Sequence, residues 1–165
     1  MPVMDNSKSS EFDAIVPAPF GAIGVKVADD YVTGLRLISE PLPPYCVDQP
    51  FVQHVVHQLQ QYLENAEHEL DFPYVMEGTP FQKRVWRAMA TIPLGQVWTY
   101  SELANHVASG PRAVANVCGA NHLPLLIPCH RIVAKNGLGG FMRNDAKGLK
   151  VKRWLLQHEH VNLDG

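Results

Sequence analysis

Alternating apolar and polar positions open the chain. Phe12 to Val16, Gly21 to Ala28 and Tyr31 to Ile38 read as short strands, with Val25, Val27, Val32, Leu35 and Leu37 supplying the β-branched and apolar positions. Asp29-Asp30 predicts a tight turn between the second and third, so an antiparallel meander is expected. Pro41 to Pro44 then breaks regular structure. From Phe51 to Asn65 the period changes. Val52, Val55, Val56, Leu59, Tyr62 and Leu63 recur at three and four, the signature of a helix with one apolar face. Ala66 to Gly78 is acidic and loop-like.

The second half is helical in pattern. Thr79-Pro80-Phe81-Gln82 combines a cap, a proline suited to the first helical position and a glutamine placed for a capping box. The helix it starts should bury Phe81, Val85, Trp86, Met89 and Ala90 and stop at Ile92-Pro93-Leu94-Gly95, leaving Lys83, Arg84 and Arg87 on a solvated face. Ser101 to Val107, turning Leu103, Ala104 and Val107 inward, and Arg112 to Ala120 flank Ser109-Gly110-Pro111, a helix-turn-helix pattern. In the second of these helices Val114, Val117 and Cys118 share an inward face, while Ala113, Ala115, Asn116 and Gly119 are small. A helix that reads the major groove displays long polar side chains, whereas a small-faced one can approach a minor groove only ~6 Å wide, or simply pack within the protein. A last helix, Lys147 to His158, should bury Leu149, Trp154, Leu155 and Leu156. The fold expected is an α/β N-terminal domain over residues 1–78, a small antiparallel sheet with a helix, and a mainly α C-terminal domain over 79–165.

Composition changes this picture in two ways. The chain of 165 residues has no 18-residue apolar run, and Met1 to Ser10 lacks the apolar core of a signal peptide, so neither a membrane span nor export is expected. Three widely spaced cysteines argue against a disulfide framework or a zinc knuckle and for a reducing, cytoplasmic setting. His54 and His57 share a helix face but lack a third ligand, so no metal is expected. The second change comes from charge. Residues 1–80 hold three Lys/Arg against twelve Asp/Glu, and residues 81–165 hold eleven against four. A basic half with a net charge of +7 either faces a polyanion or pairs with its acidic counterpart.

The chemistry concentrates in Leu125-Leu126-Ile127-Pro128-Cys129-His130-Arg131-Ile132-Val133. A thiol becomes a useful nucleophile only as thiolate, and a nearby imidazole can drive that change. Neighbouring residues on a helix or strand do not face each other, so His130 is expected to reach the Cys129 sulfur through water. A cysteine–histidine hydrolase is disfavoured, because no oxyanion-hole motif and no further orienting element accompany the pair. Arg112 opens a helix, where the dipole disfavours a cation, and such a locally unfavourable placement points to use.

Pro128-Cys129-His130-Arg131-Ile132-Val133 resembles the acceptor motif of the O6-alkylguanine-DNA alkyltransferases, the methylated-DNA–protein-cysteine methyltransferases, and the similarity runs from Thr79 to Glu159. The resemblance implies a ribonuclease-H-like N-terminal domain and DNA repair by direct damage reversal. In that reading the alkyl group of O6-alkylguanine, and of O4-alkylthymine, passes irreversibly to Cys129, once per molecule. His130 and Glu159 would activate the thiol and Asn121 would tie the recognition helix to the acceptor segment. Tyr100 would press on the nucleotide's phosphate and bond the flipped purine. Arg112 would fill the space left in double-stranded DNA bound through its minor groove, with Ala113, Ala115 and Asn116 on the groove face. Ile132, Phe141 and Met142 would line the substrate pocket. No cofactor, metal, membrane or obligate protein partner is implied. A lesion-binding relative, the alkyltransferase-like class, lacks the acceptor thiol, and Cys129 speaks against it. The chain departs from the family pattern at His122 in place of proline, at Ala115 and Asn116 in place of glycines, at Phe141 in place of tyrosine, and in Met142-Arg143-Asn144-Asp145, where it is three residues longer.

Overall fold

Phe12 does not join the first strand. In a computed structural model, which describes residues 11–139 and 146–163, the Phe12 ring lies over Gly24, where a Cβ would meet it at 2.6 Å. Strand β1 (Ala14–Ala18) therefore begins later than its apolar run suggests. It pairs antiparallel with β2 (Gly21–Ala28), Ile15 opposite Gly24, and β2 pairs with β3 (Tyr31–Ile38), Val25 opposite Leu35. Asp29 closes the expected turn with a φ of 51°, a conformation that aspartate tolerates better than most residues. A fourth strand, β4 (Tyr45–Cys46), follows the prolines and pairs antiparallel with β1, giving the order β3-β2-β1-β4. Helix α1 (Pro50–Glu64) packs against β1 and buries Val52, Val55, Leu59 and Tyr62, with Val56 and Leu63 only half-buried.

The chain divides into two compact units, Met1–Val75 and Met76–Gly165. The second begins with helix α2 (Pro80–Met89). Thr79 Oγ1 accepts from the Gln82 amide at 3.1 Å, and Gln82 Oε1 accepts from the Thr79 amide at 2.9 Å. Such a cap contributes about 1 kcal/mol. Val85, Trp86 and Met89 are buried, Phe81 is half-buried and Ala90 exposed, so the stripe is narrower than expected. Arg84 is not simply solvated, since it donates from Nη2 to the Val107 carbonyl at 3.0 Å.

A two-residue strand β5 (Trp98–Thr99) runs into helix α3 (Tyr100–His106), whose start is a second reciprocal capping box between Thr99 and Glu102. Helix α4 (Pro111–Gly119) follows, held to α2 by the Trp86 Nε1–H bond to the Val117 carbonyl at 3.1 Å. One 3₁₀ turn (Cys129–Arg131) leads into β6 (Ile132–Val133), which pairs with β5 in parallel, Trp98 opposite Ile132. Helix α5 (Ala146–His158) buries Gly148, Val151, Lys152, Leu155 and Leu156, whereas Leu149 and Trp154 are half-buried. Among the described residues no helix is long and apolar enough to cross a membrane.

Candidate active site

The acceptor segment is held in place by backbone and side-chain bonds on both sides of the thiol. Asn121, just past the end of α4, donates from Nδ2 to the Ile127 carbonyl at 2.8 Å and accepts from the Leu123 amide at 2.9 Å. It thereby folds the apolar stretch back on itself, and Leu125 takes a φ of 76° within that fold. A buried leucine in this conformation costs of order 1–3 kcal/mol, so the surroundings must impose it. His122, where the family pattern has proline, makes contacts of its own. Its ring meets Trp86 edge-on at 5.4 Å, and its Nε2 accepts from the Glu77 amide at 3.4 Å.

Behind Cys129 lies a buried polar cluster. His130, Lys152 and Glu159 are each 1% exposed or less. His130 Nε2 is 2.9 Å from Glu159 Oε1. Arg131 reaches the same carboxylate with both arms of its fork, Nε to Oε1 at 2.8 Å and Nη2 to Oε2 at 3.1 Å, and donates from Nη1 to the Ile92 carbonyl at 2.7 Å. Lys152 Nζ donates to the Ile132 carbonyl at 2.6 Å. His130 Nδ1 is buried and has no hydrogen-bond partner among the described residues.

Protonation states follow from this arrangement. Burial opposes the charge on Glu159, but hydrogen bonds from His130 and Arg131 and the charge of the guanidinium outweigh it and hold the carboxyl far below its usual range. Burial keeps His130 neutral, against the pull of Glu159. Burial also pushes the Cys129 thiol up, opposed by a hydrogen bond from the Asn121 side chain and the charge of Lys152. Lys152 is itself brought down to about 8 by burial, although Cys129 and Cys118 pull the other way. The resting pair is thus a neutral thiol beside a neutral imidazole.

The structure brings together Asn121, Cys129, His130 and Glu159, as the sequence suggested. Tyr100 opens α3, and its ring and hydroxyl lie against Gly139, where a Cβ would meet Cε2 at 3.0 Å and the hydroxyl at 3.1 Å. Gly139 has a φ of +76°, which a side chain would disfavour independently. Arg112 is exposed in the first turn of α4, a helix with no side-chain cap and no acidic residue there. Ala113 and Ala115 are half-buried and Asn116 is exposed on the same helix. The Ile132 side chain is fully buried, and its carbonyl accepts from Lys152 Nζ. Phe141 and Met142 lie outside the described residues, as does the rest of the longer segment. A turn at Lys135-Asn136 follows β6, with Ala134 and Gly137 bridging across it. Cys118 packs as anticipated, its sulfur 3.9 Å from that of Met89. Two members of the cluster, Lys152 and Arg131, had no role assigned from sequence. The available signal for Lys152 was its position on the apolar stripe of α5 with Val151, Leu155, Leu156 and Glu159.

This geometry has counterparts among known proteins. Residues 80–161 match the family model for the DNA-binding domain of 6-O-methylguanine DNA methyltransferase. Over 89 residues, 53% of this chain, it is 45% identical to a probable methylated-DNA–protein-cysteine methyltransferase of Acanthamoeba polyphaga mimivirus, of which it spans only 57%. A methylated-DNA–protein-cysteine methyltransferase of Methanothermobacter thermautotrophicus is 33% identical over 89% of this chain and 84% of its own. The fold is similar to that of Mycobacterium tuberculosis OGT solved in complex with DNA, with a TM-score of 0.73 and 31% identity over 88% of this chain and 91% of that one. An identity of 33% sustained over most of both chains, with the matched half carrying Cys129 and the buried His130–Glu159 pair behind it, places this protein in the methylated-DNA–protein-cysteine methyltransferase family.

Proposed function

We propose that the protein repairs DNA by moving an alkyl group from O6-alkylguanine, and from O4-alkylthymine, onto Cys129. The observation that carries this reading is the buried relay behind the thiol, in which ionised Glu159 holds His130 Nε2 and leaves Nδ1 bare. One water between Nδ1 and Sγ would carry the thiol proton to the imidazole. The thiolate then attacks the alkyl carbon in line, the carbon–O6 bond breaks, and its electron pair stays on the base. Tyr100 donates a hydrogen bond near N3, which lowers the cost of the purine leaving as an anion. The purine recovers a proton, and Cys129 is left as a thioether with no easy leaving group. Each molecule therefore acts once.

A base inside a duplex is out of reach of a half-buried thiol, so it must be extruded, at a cost of a few kcal/mol. The helices α3 and α4 act as a helix-turn-helix unit whose small-faced second helix enters the minor groove, with Arg112 replacing the extruded base. The exposure of Arg112 and Asn116, and the DNA complex of the M. tuberculosis neighbour, support this. The order β3-β2-β1-β4 with its packed helix supports a ribonuclease-H-like first unit.

The test is intact mass after incubation with a duplex oligonucleotide carrying O6-methylguanine. A gain of one methylene equivalent on the peptide holding Cys129 is expected. Tight lesion binding with no gain would instead indicate a recognition protein. Arg112→Ala should slow transfer from duplex roughly tenfold to a hundredfold, the scale of a few kcal/mol of extrusion energy, while leaving transfer from the free modified base unchanged. Equal losses on both substrates would remove Arg112 from the extrusion step.

Lys152→Met separates activity from stability. Its thiolate would lose a nearby cation, so the transfer rate at neutral pH should fall by about tenfold, one pKa unit's worth. The fold should not suffer. A lysine brought from 10.5 to about 8 on folding opposes the native state at every pH below about 8, and that opposition fades as pH rises towards 10.5. The gap corresponds to roughly 3 kcal/mol, against about 1–3 kcal/mol for leaving the Ile132 carbonyl unpaired. Thermal melts at pH 7 should show an unchanged or higher Tm. A lower Tm with an unaltered rate would make Lys152 a structural residue only.

A further inference from the structure

The Arg131 fork serves more than packing. We propose that Arg131 is a positioning residue of the acceptor site, one that keeps Glu159 a carboxylate and thereby keeps His130 in the tautomer with a bare Nδ1. The proposal rests on the alkyl-transfer reading above and deepens it.

A buried carboxyl beside an imidazole can settle in two ways, as carboxylate with imidazolium or as carboxylic acid with imidazole. Neither serves the chemistry. An imidazolium cannot take the thiol proton, and a carboxylic acid can donate to the ring and reverse its tautomer. A guanidinium removes the ambiguity, because it is always charged and its planar fork matches a carboxylate. Here Nε and Nη2 of Arg131 take both oxygens of Glu159, at 2.8 and 3.1 Å. The Glu159 charge is balanced without a proton on His130. Acceptor-only, the carboxylate then draws the Nε2–H at 2.9 Å and leaves Nδ1 as the bare nitrogen. The guanidinium is not placed by Glu159 alone, since Nη1 is anchored to the Ile92 carbonyl at 2.7 Å.

The charged groups acting on His130 are Glu159, which favours its protonation, and Arg131 and Lys152, which oppose it. Arg131 thus works twice on His130. It fixes the ring's partner as an anion, and it raises the cost of a resting imidazolium.

Single-turnover methyl transfer followed against pH tests the idea, with Arg131→Met and Arg131→Lys beside the natural sequence. The acid limb of the natural profile reports His130 losing its proton. Removing a positive neighbour makes the imidazolium easier to form, so in Arg131→Met the midpoint should move to higher pH by about one unit. Rates below it should fall by about tenfold, and activity should recover on the alkaline side. Arg131→Lys keeps the charge without the fork and should bring the midpoint back towards the natural value. A uniform loss at every pH in Arg131→Met, with the midpoint unmoved, would reduce Arg131 to a structural clamp. Should that variant fail to fold, nitrogen-15 shifts of His130 in the natural protein decide the matter. Protonated Nε2 with bare Nδ1 at neutral pH is expected, and an imidazolium or the opposite tautomer would overturn the proposal. No transfer by the natural protein at any pH would sink the alkyl-transfer reading instead, and the tautomer would still be readable.

Discussion

Replacing Cys129 by serine should abolish methyl uptake completely, with no mass gain at a large excess of O6-methylguanine oligonucleotide. A serine hydroxyl fits the same space and can accept the Asn121 bond, but His130 is far too weak a base to ionise it. The two remaining thiols should not substitute. Burial pushes Cys118 up to about 12, with Cys129 adding to the effect, and its sulfur faces Met89. Cys46 is exposed in the first unit, and slight burial and the charge of Asp48 raise it as well. Neither has an imidazole relay among the described residues. Binding to the lesion should survive in Cys129→Ser, because the extruding and groove-facing residues are untouched. A methyl group recovered on Cys118 in the variant would relocate the acceptor and refute the relay.

Glu159→Ala should cost both activity and fold. The carboxylate satisfies the Arg131 fork and His130 at once, so its removal leaves a guanidinium uncompensated in a site from which water is largely excluded. Breaking a buried pair in this way typically costs about 3–5 kcal/mol. In a unit of this size, Tm should fall by at least roughly 10 °C. Acid should weaken the natural protein by the same route. The folded carboxyl titrates below its unfolded value of 4.5, so the stability it contributes is complete above that value. It is lost as pH falls from there through the folded value. Glu159→Gln should remove this acid dependence. Circular-dichroism melts between pH 3 and 7 measure both effects, and an alanine variant melting within about 2 °C of the natural protein would show that the cluster does not hold the fold.

The outline of the fold was legible where periodicity is long or capping is explicit. The strands around Asp29-Asp30, the helix at Pro50–Glu64 and the Thr79–Gln82 box all followed from spacing. What escaped was short. Two residues have no period, so β4, β5 and β6 exist only through their partners. The ends of the turn after β6 are likewise set by the Ala134–Gly137 bridge, a contact rather than a propensity. In the site, Cys129 and His130 were readable from their neighbours, and Glu159 and Asn121 only through resemblance. Lys152 shows why residue identity was not enough. A lysine on an apolar stripe ordinarily extends its amine to water, whereas this one donates inward to the Ile132 carbonyl, twenty residues back in the chain. Arg131 was visible beside His130, but its carboxylate lies 28 residues further on.

That separation has a consequence for how the reagent comes into being. Ile92 meets Arg131 across 39 residues and His130 meets Glu159 across 29. Each such loop must close against chain entropy before its bond can form. The relay cannot assemble from local structure, so an unfolded or partly folded copy carries an ordinary thiol, neither armed against DNA nor easily spent. For a protein that acts once, repair capacity then counts folded molecules. A destabilisation of 1–2 kcal/mol anywhere in the second unit, of the scale that alters abundance in cells, would act as a change of dose.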